Sequence, residues 1–395
     1  LKIKGVFDPK IRQWNKERAK QLLKYYKSQA PNARNVDIWI HCASLGEYQQ
    51  IASVIELIKL DTSDVFILLS FFSPSGYENV KNTKADEIIY LPLDKRKDMK
   101  KLIDYYRPRI FLGVKYEWWW NLFDELNQRK IPKVLVAVKF DKSHYIFQWY
   151  SKRFAMILRN NTIMFCQDQS TSELVISLGI QNVKQIGDPR VDTVLRKKDN
   201  PYVNANLFLK LAQAKEIIVY GSVYQDDLKI IGQTIKDQEE KFHIVVPHDI
   251  SVANIKAFQE SLHCKSLFSK IQNFEFNKNV VIIDTIGELF GLYSIASYCY
   301  IGGGFTKNVH NTLEPAVFGM PICIGPKHKG FAEIDYFKKH NLIKIITQNY
   351  EFSTFLKNVT PSRKEEISNG LDLFFERSKG SSFILSDYLQ KGVRS

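Results

Sequence analysis

The sequence predicts an α/β protein built from two doubly wound parallel-sheet domains. Short apolar runs recur along the chain and alternate with amphipathic stretches. The runs are β-branched or aromatic and nearly continuous, as strands covered on both faces are. One polar segment without a strand signal, 195–212 (LRKKDNPYVNANLFLKLA), interrupts the series and reads as a linker. A repeated strand–helix–strand order calls for a parallel sheet with helices on both faces.

In the first half, strands are expected at 37–42 (DIWIHC), 65–71 (VFILLSF), 87–93 (EIIYLPL), 110–114 (IFLGV), 133–138 (KVLVAV) and 162–166 (TIMFC). Between them lie helical patterns such as 98–106 (DMKKLIDYY) and 171–180 (TSELVISLGI). In the second half, strands are expected at 216–222 (EIIVYGS), 242–247 (FHIVVP), 280–284 (VVIID), 298–304 (YCYIGGG) and 321–325 (PICIG). The tail 366–389 reads as helices that pack back across the domains. The expected division is residues 1–195 and 196–395, two Rossmann-like halves facing a central cleft, with the last helix returning to the first half.

The bulk properties agree. A chain of 395 residues, 45% hydrophobic and 25% charged, has enough length for two sizeable cores. The net charge of +14 is spread along the chain and favours an anionic partner: nucleic acid, an anionic membrane surface or a phosphorylated substrate. Five scattered cysteines without a CxxC pair read as small buried hydrophobes in a reducing compartment, with no zinc site. No apolar run of membrane-spanning length occurs, and the start LKIKGVFDPK is not a signal peptide.

Two acids follow strands. In ASLGE (43–47), Ser44 and Gly46 suit a helix cap and a bend, and Glu47 suits the first turn of a helix. The competing reading is a carboxylate placed at the C-terminal edge of a parallel sheet, where ligands bind. Glu117 in KYEWWW (115–120) faces the same choice, and Trp118, Trp119 and Trp120 cannot all be core on one helix face. In the second half, Gly302, Gly303 and Gly304 end a strand, and a helix begins near Asn311 or Thr312 with Glu314 and Pro315 in its first turn. Such glycines let backbone N–H groups approach a ligand, or they serve a tight turn before a capped helix. The segment 142–161 (KSHYIFQWYSKRFAMILRNN) reads as a basic aromatic helix, suited to an anionic membrane surface or to ordinary amphipathic packing. No DxD pair follows a strand in the manner of a metal–diphosphate site.

Taken in order, ASLGE (43–47), SPSGYE (73–78), YLPLD (90–94), KYEWWWN (115–121), GDPRVD (187–192), DTIGEL (284–289) and GGGFTKNVHNTLEP (302–315) resemble the motifs of 3-deoxy-D-manno-octulosonic acid (Kdo) transferases of lipopolysaccharide synthesis. The resemblance runs from about residue 10 through essentially the whole chain. It implies a GT-B fold, CMP-Kdo as donor, the lipid A precursor as acceptor, and inverting transfer without a cofactor or metal. It also implies a place at the cytoplasmic face of a Gram-negative inner membrane, against its anionic surface and without nucleic acid. An N-terminal anchor helix would precede PKIRQWNKERAK (9–20), and this chain is expected to lack it.

Carried over by position, Glu47 is the general base and Glu117 a second catalytic acid. Arg190, Ser222, His248, Gly287, Glu288, Gly303, Gly304, Asn311, Thr312 and Glu314 fall to the donor, with Glu314 on ribose hydroxyls. Ser44, Gly46, Lys115 and Trp118 fall to the acceptor or membrane side, as do Trp149, Lys152 and Arg153 on the reading of the basic aromatic segment 142–161 itself. The chain departs from the family pattern at Val223, Tyr224 and Asp249, and it carries Lys115 where many relatives have an acid. The alternatives are a GT-B transferase or epimerase using a UDP-sugar, and a non-catalytic nucleic-acid binder. The latter lacks a recognised aromatic-basic RNA-binding motif.

Overall fold

In the computed structural model, the described residues are 9–27, 35–115, 118–200, 202–273 and 279–394. They divide into two compact units, Leu1–Thr193 with Ser378–Ser395, and Val194–Arg377.

The first unit is a parallel sheet of β1 (Ile38–Cys42), β2 (Ile67–Phe71), β3 (Glu87–Tyr90), β4 (Ile110–Val114), β5 (Lys133–Val138), β6 (Thr162–Cys166) and β7 (Asn182–Gln185). The spatial order is β3-β2-β1-β4-β5-β6-β7. Every residue of β1, β2, β4, β5 and β6 is buried, which is why their sequences show no polar alternation. Successive side chains feed opposite faces: Trp39, Phe111 and Leu135 enter one layer, and Ile38, Ile40 and Leu112 the other. The final helix, Ser381–Arg394, closes the second layer with Leu385, Leu389 and Val393. Asp192 accepts hydrogen bonds from the N–H groups of Gly380 and Ser382, both at 2.7 Å, and so anchors the start of that helix.

The second unit is a parallel sheet of β8 (Ile217–Val223), β9 (Phe242–Pro247), β10 (Val280–Ile282), β11 (Tyr298–Ile301), β12 (Ile322–Ile324) and β13 (Ile343–Ile345), in the order β10-β9-β8-β11-β12-β13. In each sheet the first three strands are laid down toward one edge and the fourth is added on the other side of the first. The strand order therefore reverses between β1 and β4, and again between β8 and β11. Ligands of open α/β sheets bind outside the C-terminal ends of the strands at such reversals.

Four expectations need correction. Residues 195–212 are largely helical, Arg190–Lys198 and Ala205–Ala212, with Phe208 and Ala212 as the buried face of the second helix. The run at 298–304 is strand only to Ile301, and the glycines form the turn after it. The segment 142–161 is not one helix: short turns Tyr145–Phe147 and Trp149–Ser151 precede the helix Lys152–Arg159. Strands β7 and β13 escaped the sequence pattern because each lies at a sheet edge, where one partner suffices and little side chain is buried. All five cysteines are buried and free. Among the described residues no helix is long and apolar enough to cross a membrane.

Candidate functional site

The first unit presents Glu47 at its strand reversal. Strands β1 and β4 pair from Ile38↔Ile110 to His41↔Gly113, so the chain leaving β1 at Ala43 lies beside the end of β4. Four residues later the short helix Leu45–Tyr48 brings the chain back, and the Glu47 carboxylate accepts a hydrogen bond from the Ala43 N–H through Oε2. Glu47 is half-buried. The Ala43 carbonyl in turn accepts from Ser73 N–H at 2.8 Å, which ties this turn to the loop after β2.

This geometry revises the cap-and-glycine reading. Ser44 occupies the cap position, but its side chain makes no capping hydrogen bond. A Cβ on Gly46 would meet nothing closer than 3.9 Å, so neither crowding nor backbone angle demands glycine there. The carboxylate that was the candidate base is also the group that closes the turn. Local capping and a position at the sheet edge are therefore two aspects of one arrangement.

A charged cluster stands on the β4 side. Lys115 follows β4 in a left-handed conformation, φ 58°, and its N–H donates to the Val136 carbonyl at 2.8 Å. Asp188 accepts from Arg190 Nε at 2.9 Å and Nη2 at 2.6 Å, and from Gln167 Nε2 at 3.0 Å. Burial is the largest influence on Asp188 and opposes its ionisation. The charge and hydrogen bonds of Arg190, with Lys115 adding its charge, outweigh burial and hold the carboxyl below its ordinary value. Arg190, expected on the donor, is thus a buried residue of the first unit with its guanidinium engaged by Asp188.

Glu117 lies outside the described residues. Trp118, expected on the acceptor or membrane side, is 9% exposed and packs edge-on against Phe140 and close to Phe154, so it belongs to the core. Trp120 and Trp149 are exposed instead, Trp149 at 79%. Lys152 and Arg153 are exposed on the helix that follows Trp149.

In the second unit, Ser222, His248 and the 302–314 turn meet at the ends of β8, β9 and β11. Ser222 adopts φ 52° near the end of β8, and His248 N–H donates to the Val223 carbonyl at 2.9 Å. The rings of Tyr224, His248 and His310 lie together, with His248–His310 centroids 4.6 Å apart and Tyr224–His248 4.8 Å apart. Burial, aided by the charge of His248, lowers His310 to about 4; burial lowers His248 as well.

The glycine triplet serves the protein's own packing. A Cβ on Gly302 would lie 2.5 Å from Val223 Cα, and one on Gly304 2.6 Å from Gly325 Cα. Gly303 has φ 90°, and its N–H donates to Asp227 at 3.3 Å, so the expected backbone cradle for a donor is in part an internal contact. Asp227, fully buried, also accepts from Tyr224 N–H at 2.8 Å and Tyr300 O–H at 2.6 Å. Burial pushes its carboxyl up against the pull of those bonds.

Asn311 accepts from Leu313 N–H at 3.1 Å just ahead of the helix Leu313–Ala316, whose cap position is Thr312; Thr312 is fully buried and donates to Glu333 at 3.2 Å. Glu314 sits half-buried in that first turn. Gly287 is exposed with φ 101°, and Glu288 accepts from Tyr202 O–H at 2.5 Å and Asn204 Nδ2 at 3.0 Å. Asp188, Asp227 and His310 were missed by sequence reasoning, although Asp188 and His310 lie inside quoted motifs and Asp227 lies in the short turn after β8. Only their long-range partners mark them. Among the described residues no group of three or more His, Cys, Asp or Glu side chains is arranged to hold a metal ion.

Comparison with known proteins finds likenesses to one family. Residues 15–193 match the family model described as 3-Deoxy-D-manno-octulosonic-acid transferase (kdotransferase). A 3-deoxy-D-manno-octulosonic acid transferase of Aquifex aeolicus is 28% identical, over 83% of this chain and 87% of its own. The corresponding Haemophilus influenzae protein is 26% identical over 75% and 72%. A bifunctional glycosyltransferase/methyltransferase of Fusobacterium nucleatum is 24% identical over 87% of this chain, which spans only 55% of that relative's length. Among solved structures, UDP-GlcNAc 2-epimerase from Neisseria meningitidis aligns with a TM-score of 0.63 at 13% identity, over 90% of this chain and 100% of that one, a likeness of fold.

Proposed function

We propose that the chain is a Kdo transferase of the GT-B type, a reading supported by the family model over residues 15–193 and by relatives 26% and 28% identical, and that it transfers Kdo from CMP-Kdo to the lipid A precursor, lipid IVA, with inversion. The observation that supports this reading most is the Glu47 carboxylate, tethered to the Ala43 N–H at the end of β1 where the strand order reverses. Glu47 takes the proton of an acceptor sugar hydroxyl as that oxygen bonds to the anomeric carbon of Kdo. The bond from that carbon to the CMP phosphate oxygen breaks, and its electron pair leaves with CMP. Attack on the face opposite CMP inverts the centre, so one base suffices.

The other assignments follow the same reading. Ser222, His248, Asn311 and Glu314 in the second unit serve the nucleotide and sugar of the donor, with Glu314 on hydroxyl groups. Lys115 supplies positive charge beside the acceptor region. The exposed Trp149, Lys152 and Arg153 suit a phosphorylated lipid at an anionic membrane surface. The test is incubation with CMP-Kdo and lipid IVA, with mass spectrometry of the lipid, alongside thermal protection by CMP and by UDP. The reading expects a Kdo-sized mass gain and protection by CMP. Protection by UDP alone, with no Kdo added, would assign the chain to a different donor.

A further inference from the structure

A second polar centre lies on the same edge of the first sheet, under the N-terminal helix Pro9–Lys27. Trp14, Arg18 and Gln21 recur on one face of that helix, four and three residues apart. Arg18 is 5% exposed, with its guanidinium carbon 4.1 Å from the Trp14 ring centroid and 4.6 Å from that of Phe72. Its Nη2 donates to the Phe72 carbonyl at 2.8 Å. Among the described residues its Nε and Nη1 have no hydrogen-bond partner, and the same holds for the buried Trp14 Nε1 and Tyr90 hydroxyl.

The chemistry of this set is one-sided. Arg18 Nε, Arg18 Nη1 and Trp14 Nε1 can only donate. Burial above all keeps the Tyr90 phenol protonated, so it too has a proton to give. Leaving a buried donor unmatched is costly, and more so for a charged one, so folded proteins rarely gather several in one place. No carboxylate pairs with Arg18 among the described residues. Burial lowers its guanidinium to about 10, which still leaves it charged at neutral pH. A cation whose remaining N–H groups, with the Trp14 N–H and the Tyr90 O–H, are all left unmatched, and whose one bonded acceptor is the neutral Phe72 carbonyl, suits a group that accepts and carries negative charge.

We propose that Trp14, Arg18 and Tyr90 form an oxyanion site that takes a phosphate group. The site adjoins the candidate base through three consecutive contacts: Arg18 holds the Phe72 carbonyl, Ser73 N–H holds Ala43, and Ala43 N–H holds Glu47. Gln21 frames it from below, accepting from Tyr90 N–H at 2.8 Å and donating to the Tyr77 hydroxyl at 3.0 Å. The phosphate comes either from solution or from a phosphorylated glycolipid; the second source rests on the transfer reading above, the site itself does not.

The experiment is thermal unfolding of the full chain in inorganic phosphate against chloride at equal ionic strength. The wild type is expected to gain stability along a saturating curve. Trp14→Phe and Tyr90→Phe keep the rings and lose one donor each, and each is expected to weaken phosphate binding about tenfold. Arg18→Gln is expected to abolish the effect; should that variant fail to fold, the two ring-preserving variants decide. In a second arm, binding of a phosphorylated disaccharide lipid in micelles is compared with its dephosphorylated form. A phosphate preference that Arg18→Gln removes identifies the lipid as source, and no preference alongside intact phosphate protection identifies the free anion. Equal protection of wild type and all variants, or none beyond chloride, would overturn the site. Neither arm reads turnover, so a failure of Kdo transfer stays separate from a failure here.

Discussion

Removing Arg190 should unsettle the first unit far more than removing Arg190 together with Asp188. The two side chains are 9% and 11% exposed and meet at 2.6 Å. Breaking a buried pair by deleting one partner costs about 3–5 kcal/mol, because the other is left charged and poorly solvated. In Arg190→Met, Asp188 keeps the hydrogen bond from Gln167 and the charge of Lys115. The expected loss therefore falls at the lower end, about 3 kcal/mol. Asp188→Asn in that background removes the stranded charge and keeps an acceptor for the backbone N–H of position 190, which lies 2.9 Å from Asp188 Oδ1 in the wild type. The double variant should recover most of the loss, with a coupling of about 2 kcal/mol. Urea unfolding followed by tryptophan fluorescence is the assay, since all six tryptophans (14, 39, 118, 119, 120 and 149) lie in the first unit. Because Asp188 is held below its ordinary 3.8, the pair contributes fully at neutral pH, and its contribution goes only as pH falls through that lowered value. Single-variant losses that add to within about 0.5 kcal/mol in the double variant would refute the coupling.

Two further outcomes concern the second unit. His243 is fully buried on β9, with Nδ1 2.9 Å from the Tyr220 hydroxyl and Nε2 2.9 Å from the Gln238 carbonyl, and burial lowers it from 6.5 to about 4. The neutral ring is the favoured folded form, so stability is complete above pH 6.5 and is lost as pH falls toward 4. At about 1.4 kcal/mol per tenfold change in proton affinity the loss is about 3 kcal/mol; His243→Gln should flatten that part of a pH series of urea midpoints. Gly302→Ala would press a methyl against the backbone of Ser222 and Val223 at 2.5 Å, and an overpacked site of this kind costs about 1–3 kcal/mol. Calorimetry should show the transition of the second unit lowered, and an unchanged transition would mean that the β8 and β11 ends are less closely packed than described.

The central strands were legible because burial on both faces leaves a local signature: IWIHC and IFLGV need no knowledge of their neighbours to read as strands. Edge strands such as NVKQ carry no such mark, since their identity depends on one hydrogen-bonded partner. The same limit governs the site. ASLGE placed Glu47 at a strand end, yet only coordinates show that the Ala43 N–H, and not Ser44, closes the turn. A glycine triplet reads alike whether its neighbour is a ligand or the protein, and here Gly302 and Gly304 meet Val223 and Gly325. Arg190 reads in sequence as a cation for the donor because nothing nearby says that Asp188 engages its guanidinium, with Lys115 adding its charge. Arg18 looks like one more surface cation of a basic helix, and its buried setting is supplied by Phe72 and Tyr90 from two later strand ends.

The most direct test of the proposed transfer is the turnover of Glu47→Gln with CMP-Kdo and lipid IVA. Glutamine retains an oxygen to accept the Ala43 N–H, so the turn after β1 should hold while the base is lost. With unfolding midpoint and CMP protection unchanged, kcat should fall by about 10²–10⁴-fold. A folded Glu47→Gln protein that turns over at close to the wild-type rate would contradict the assignment.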